Sequence, residues 1–160
     1  MKCLECGHET TSKIADHKYD ECGVSNIILK EIEIIECTNC SEREIVIPDI
    51  YDLHNAIATT ISSTTSKLNG EEIRFLRSHL GFSSSDFAKA IGVNPSVVSR
   101  WENDRDQIGK QSEKLLRLMV LTNSKPFTDY KKMEKYGSEN KQDSKTKANY
   151  RNIGGKWNAA

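Results

Sequence analysis

Long apolar runs are missing from this 160-residue sequence, and no stretch approaches the roughly 20 residues needed to cross a bilayer. No apolar signal segment follows the opening Met1-Lys2-Cys3, so a cytoplasmic location is expected. Apolar residues make up only 36% of the chain, less than a globular domain usually carries, so part of it is expected to lack a core of its own. The sequence shows no glycine-rich phosphate loop and no paired nucleophile and base. Asp16, His17 and His54 stand isolated. These absences argue against an enzyme. Net charge is also absent, with 23 basic and 23 acidic residues.

The zero average hides a gradient. Residues 1–48 hold five Lys and Arg against ten Asp and Glu, a net −5. Residues 49–122 balance at nine each, and residues 123–160 hold nine against four, a net +5. An acidic head and a basic tail suggest different partners for different segments.

Five cysteines are present, four of them as Cys3-x-x-Cys6 and Cys37-x-x-Cys40. Thiols stay reduced in the cytosol, so ligands are expected rather than disulfides. Two residues between cysteines let both sulfurs reach one ion from a tight turn, and two such turns close a tetrahedral site. A closed site leaves no position for water, which makes the expected Zn2+ structural rather than catalytic. An iron–sulfur cluster and a redox dithiol remain alternatives. Cys22 is left over, and His8 and His17 are not needed as ligands.

Between the pairs the pattern is strand-like. Residues 26–36 are rich in Ile and read as a strand, with residues 11–20 as its partner, Glu21-Cys22-Gly23 in the turn and Ile45-Val46-Ile47 as a third short strand. From Asp49, a plausible N-cap, Ile50, Leu53, Ile57 and Ile61 recur at helical spacing. Ser62-Ser63-Thr64-Thr65-Ser66 then reads as a flexible linker.

Four short helical patterns follow. Ile73, Leu76 and Leu80 mark the first, and Phe87, Ala88 and Ile91 the second, capped by Ser83 at its start and Gly92 at its end. Asn94 caps the third, with Pro95 at its first position, and Val98 and Trp101 anchor it from beneath. The fourth begins near Lys110 with Leu115, Leu116 and Met119 facing inward. Two short helices joined by Gly92-Val93-Asn94 have the length of a helix-turn-helix, whose second helix enters the major groove. Phe75, Leu118, Val120 and Leu121 exceed what so small a core needs and are candidates for a homodimer seam.

Phe87-Ala-Lys-Ala-Ile-Gly-Val93 and Val98-Ser-Arg-Trp-Glu-Asn103 resemble the small bacterial repressors typified by phage repressor and Cro. That resemblance implies that Pro95, Ser96 and Arg100 face bases. Arg100 would take guanine O6 and N7, Ser96 a base edge, and Val97 or Pro95 a thymine methyl. Asn94 would belong to the same DNA-binding set, and Ser84, Asn103 and Arg105 would hold phosphates. Asp104 and Asp106 depart from the basic loop expected there, and Glu102 is expected to orient a basic neighbour.

Met1-Lys-Cys3-x-x-Cys6 at the start, Cys37-x-x-Cys40, and Ser99-Arg100-Trp101-Glu102 together resemble the MqsA family of antitoxins, whose YgiT-type zinc finger is fused to such a helix-turn-helix. The likeness covers residues 1–122. It implies a structural zinc, a homodimer formed through the C-terminal domain, autorepression at a promoter palindrome and capture of a cognate toxin by the N-terminal module. Toxins of such systems are commonly small basic ribonucleases, which suits an acidic head. The rival reading is a stand-alone zinc-containing repressor without a toxin. A metal or redox sensor is a second rival.

The expected fold is α+β: a zinc-bound β-hairpin domain over residues 1–48 and a connecting helix and linker over 49–68. An all-α helix-turn-helix and dimerisation domain over 69–122 follows, with a basic, mostly disordered tail over 123–160. The head and the helices are expected to have separate cores.

Overall fold

In the computed structural model, residues 1–124 and 147–160 are described. Strand β1 (Thr10–Lys18) turns through Asp20–Gly23 into the long β2 (Ile27–Cys37). The two pair antiparallel, from Thr10 opposite Cys37 to Lys18 opposite Ile28, with a bulge between Ala15 and His17. The short β3 (Arg43–Val46) returns along the other edge of β2, with Glu33 opposite Val46 and Glu36 opposite Arg43. The expected hairpin and third strand are both present.

Helix α1 (Ile50–Ser63) starts where Asp49 accepts the Asp52 amide at 3.0 Å, as the sequence suggested. It turns Leu53, Ile57, Ala58 and Ile61 into the interior. Helix α2 (Gly70–His79) carries a full capping box, Asn69 with Glu72, which sequence reading did not single out. Helix α3 (Ser84–Ile91) is capped by Ser83, whose hydroxyl accepts the Asp86 amide. The Asp86 carboxylate accepts a hydrogen bond from the Ser83 hydroxyl instead of reaching the backbone, because it is one carbon shorter than Glu. Gly92 ends α3 in the left-handed conformation (φ 71°). Asn94 then caps α4 (Pro95–Glu102), and α5 (Lys110–Ser124) closes the bundle.

Several expectations fail. The first concerns residues 148–159, assigned to a disordered tail. They form β4 (Ala148–Ile153) and β5 (Lys156–Ala159), a tight hairpin through Gly154 (φ 61°) and Gly155 (φ 83°). β4 lies parallel to β2, with Ile27, Ile28 and Leu29 opposite Ala148, Asn149 and Tyr150. The sheet order is therefore β1-β2-β4-β5, with β3 also on β2. Tyr150 and Trp157 are buried, and the Trp157 indole donates to the Pro48 carbonyl at 2.6 Å. Two large aromatic side chains supply enough apolar area to dock a hairpin that its polar composition argued against. The rest of the expected tail, 125–146, lies outside the described residues.

The second failure is the idea of two cores. One continuous apolar cluster runs from Tyr19, Val24, Ile27, Leu29, Ile32 and Ile34 of the sheet, through Leu53, Ile57 and Ile61 of α1, to Phe87, Val98 and Trp101 of the helix-turn-helix. Helix α1 is its spine, packing on α2 and α5 on one side and on β4 and β5 on the other. The supposed linker is equally fixed. Arg117 of α5, wholly buried, donates to the carbonyls of Ile61, Ser62, Thr64 and Ser66 at 2.6–3.2 Å. Glu113, buried one turn earlier, pairs with it at 2.8 Å and accepts the Leu68 amide. Arg117 faces inward beside Leu116, while Leu115 is 40% exposed and Met119 half-buried, so the inner stripe of α5 differs from the one expected.

The proposed seam residues also fall elsewhere. Phe75, Val120 and Leu121 are buried within the chain. The small helical core recruits the sheet's apolar face and so absorbs them. Leu118 is half-buried.

Candidate metal centre and nucleic-acid interface

Two turns build the sulfur cluster. In the first, the Cys3 amide donates to the His8 carbonyl and the Gly7 amide to the Cys3 carbonyl, each at 2.8–2.9 Å, with Gly7 left-handed (φ 71°). In the second, the Cys37 amide donates to the Glu42 carbonyl, with Ser41 left-handed. The pairing of Thr10 with Cys37 sets the two turns side by side, and Thr38 ties them together through the Glu9 carbonyl. All four expected cysteines therefore meet.

The Sγ atoms of Cys3 and Cys40 lie 3.6 Å apart, those of Cys6 and Cys37 3.4 Å, and all four fall within 4.8 Å of one another. Bonds of about 2.3 Å in a regular tetrahedron require sulfurs about 3.8 Å apart. The set thus fits one metal ion held by four thiolates, and the Asn39 amide already points at the Cys37 sulfur.

Electrostatics lead to the same place. A hydrogen bond at His8 and the neighbouring thiols bring Cys6 down to about 6 against the cost of burial. At Cys40 the Glu42 amide favours the thiolate, but the hydrogen bonds with Cys6 and Cys37 outweigh it and push the thiol up to about 12. Four thiols this close cannot all ionise unless a cation offsets their repulsion. Cys22 stands outside the cluster. Its thiol donates to the Tyr19 and Val24 carbonyls, and burial raises its pKa.

Among the helices, Val98 and Trp101 seat α4 against the core. The opposite face is open. Pro95, Ser96 and Arg100 are exposed, Val97 is half-buried, and Asn103 and Arg105 follow in the exposed loop. Ser84 is half-buried at the first turn of α3. Asn94 Oδ1 accepts both the Ser96 amide and the Ser96 hydroxyl at 2.9 Å, so these two side chains hold each other. Asn103 caps the other end by donating to the Ser99 carbonyl at 2.7 Å.

The partners that fix α4, Arg74, Arg77 and Gly70, escaped sequence reading. Glu102 pairs with Arg77 and more distantly with Arg74, in line with its expected role of orienting a basic neighbour. Arg77 also donates to the Phe82 carbonyl and so pins the turn into α3. Asp104, left-handed at φ 52°, accepts the Gly70 amide at 2.7 Å. Gly70 sits so close to the end of α4 that a Cβ there would stand 2.6 Å from the Glu102 carbonyl oxygen. An N-cap-like carboxylate reaching from 34 residues away leaves no local sequence pattern.

Among the described residues, no helix is long and apolar enough to cross a membrane. No curated protein matches the chain. Residues 73–118 match the family model HTH_3, described as helix-turn-helix, and this segment is a DNA-binding domain of the Cro/C1 type.

Proposed function

We propose that this protein is the antitoxin of a type II toxin–antitoxin system. In this reading the head neutralises a small basic ribonuclease, and the helix-turn-helix represses the operon that encodes both proteins by binding a promoter palindrome in the cytoplasm. The observation that carries the reading is the union in one chain of a closed four-thiol head with a helix-turn-helix whose outer face presents Arg100. The net −5 of residues 1–48 favours a basic partner by long-range attraction.

The ion is zinc in this proposal, because four thiolates in a closed set suit a soft cation and leave no open coordination position. Its role is to hold the two turns. DNA contact falls to Arg100 and Ser96 at bases, with Asn94, Pro95 and Val97 beside them and Ser84, Asn103 and Arg105 at phosphates. A palindrome calls for two copies. With Phe75, Val120 and Leu121 buried in the chain, the homodimer seam is assigned to the outer face of α5, where Leu115, Leu118 and Met119 lie one turn apart.

Co-expression with the product of the adjacent gene tests the partner. Copurification of a basic ribonuclease whose activity the chain suppresses is the expected result. An adjacent product that neither copurifies nor is inhibited would leave a stand-alone zinc-containing repressor. For DNA, Arg100→Ala should abolish preference for the upstream palindrome while weak binding to any duplex persists.

A further inference from the structure

Arg100 is the one cation on the outer face of α4, and it is not alone. Its Nε lies 2.8 Å from the Asp106 carboxylate, with both side chains about half exposed. Chance proximity of two flexible chains does not explain this contact, because the loop between them is wound back onto the helix. The Arg105 amide donates to the Arg100 carbonyl at 2.9 Å, and the Asp106 amide reaches the same oxygen at 3.4 Å. Asp104, one step earlier, is anchored on the Gly70 amide. The loop therefore delivers Asp106 to the flank of Arg100.

Nε is the guanidinium nitrogen nearest the carboxylate. Among the described residues, the two terminal amino groups of Arg100 make no hydrogen bond. Those are the groups that can make the paired hydrogen bonds to guanine O6 and N7.

We propose that Asp106 is a specificity-determining positioning residue for Arg100: it holds the guanidinium by its inner nitrogen and leaves the outer fork free for a guanine edge. This rests on the DNA reading given above and goes beyond it. Two effects act in the same direction. Ordering the side chain before binding removes part of the rotamer cost of a long arginine. The negative charge of Asp106 also opposes phosphates that approach out of register. Around α3 and α4 the exposed cations Lys89, Arg100 and Arg105 are matched in number by the exposed Asp86, Asp104 and Asp106, so these exposed side chains carry no net charge. With little to gain from nonspecific phosphate attraction, discrimination depends on Arg100 being correctly aimed.

The test uses the full chain. A preferred duplex is selected from a randomised pool, and affinity for it is compared with affinity for a scrambled duplex at about 0.15 M salt, in wild type, D106N, R100A and the double variant. The expected result for Asp106→Asn is an about tenfold fall in the ratio of preferred to scrambled binding. Binding to the scrambled duplex should rise about two- to threefold, with a steeper salt dependence. A general charge effect raises binding to both duplexes alike and a folding defect lowers both alike, so neither moves the ratio in the chain that keeps Arg100; in the Arg100→Ala background, where the preference is already lost, D106N should raise both affinities equally. A D106N ratio within about twofold of wild type overturns the inference and leaves the DNA reading intact. A wild-type chain that enriches no duplex overturns the DNA reading, and this assignment with it.

Discussion

The two ends of β2 are held by different physics. At its start, Ile27 and Leu29 are wholly buried in the apolar cluster that also holds Leu53, Ile57 and Tyr150, and apolar area does the holding. At its finish, Cys37 meets three other thiols, while Leu4 next door is 97% exposed and Met1 74%. The apolar regime runs along the strand to Ile34, three residues before Cys37. One end can fold by burial alone, and the other, in the proposed reading, is held by an ion. The comparison predicts that insults to one end stay there.

Metal removal is the largest of these insults. Thiolate coordination of zinc is worth on the order of 10 kcal/mol or more in small domains. Chelation, or Cys37→Ser, should therefore release the turns at Cys3–Gly7 and Cys37–Glu42. The apolar cluster around α1 and the helix-turn-helix should persist. Hydrogen exchange would show protection lost at the amides of Cys3, Gly7 and Cys37 and kept at Leu53 and Ile57. Loss of protection throughout α1 would mean that the ion supports the whole chain.

At the other end, Arg117→Met should cost about 3–5 kcal/mol by leaving Glu113 buried and unpaired and four carbonyls without their donor. Thermal unfolding followed by helix signal checks this, and zinc content should be unchanged in the fraction that folds. Replacing both partners together, as Glu113→Leu with Arg117→Met, should recover part of the loss, since an apolar pair carries no desolvation penalty. A single-variant cost under about 1 kcal/mol would show that the clamp is ornamental.

That clamp also marks where sequence reading stops. The cysteine pairs were legible because two-residue spacing encodes a turn. Val98 and Trp101 were legible because helical periodicity encodes a face. Arg117 was not, since a cation in an apolar stripe reads as surface until the carbonyls it serves are brought from 51 to 56 residues away. The hairpin of β4 and β5 did leave a trace. Gly154-Gly155 between Tyr150 and Trp157 is a two-residue turn signal in which both positions take positive φ, and the polar composition around it masked the pattern. The aspartates after α4 stood out as a departure from the expected basic loop, whereas in the fold Asp104 accepts the Gly70 amide at the start of α2 and Asp106 flanks Arg100.

A smaller effect probes the seam inside the helical body. Gly70→Ala places a methyl group 2.6 Å from the Glu102 carbonyl oxygen, against backbone that cannot yield cheaply. The expected cost is about 1–3 kcal/mol, with α4 displaced. DNA affinity should fall more than stability alone accounts for, measured at a temperature where both proteins are fully folded. An affinity that simply tracks the folded fraction would show that the end of α4 adjusts freely.

The smallest effect concerns the junction between sheet and helices. Tyr19 of the β1–β2 turn hydrogen-bonds His54 Nε2 of α1 at 2.9 Å, and the His54 ring meets Phe75 edge-on, which in turn stacks on His79. Burial holds the pKa of His54 below its ordinary value, and burial together with the nearby His54 does the same for His79. A histidine whose folded pKa is depressed binds its proton more readily in the unfolded chain, so stability falls as pH drops below the unfolded value of about 6.5. Both rings are only partly buried, which keeps this loss small between about pH 7 and 5. His54→Gln keeps a hydrogen-bonding side chain beside Tyr19 but removes the titration, so its denaturation midpoint should vary less over that interval than the wild-type midpoint does. Because the four-thiol turns also take up protons in acid, the comparison is made on the difference between the two proteins, in which the common metal contribution cancels. An identical pH dependence in both would place the acid-sensitive element at the sulfur end of β2 rather than at the helix end.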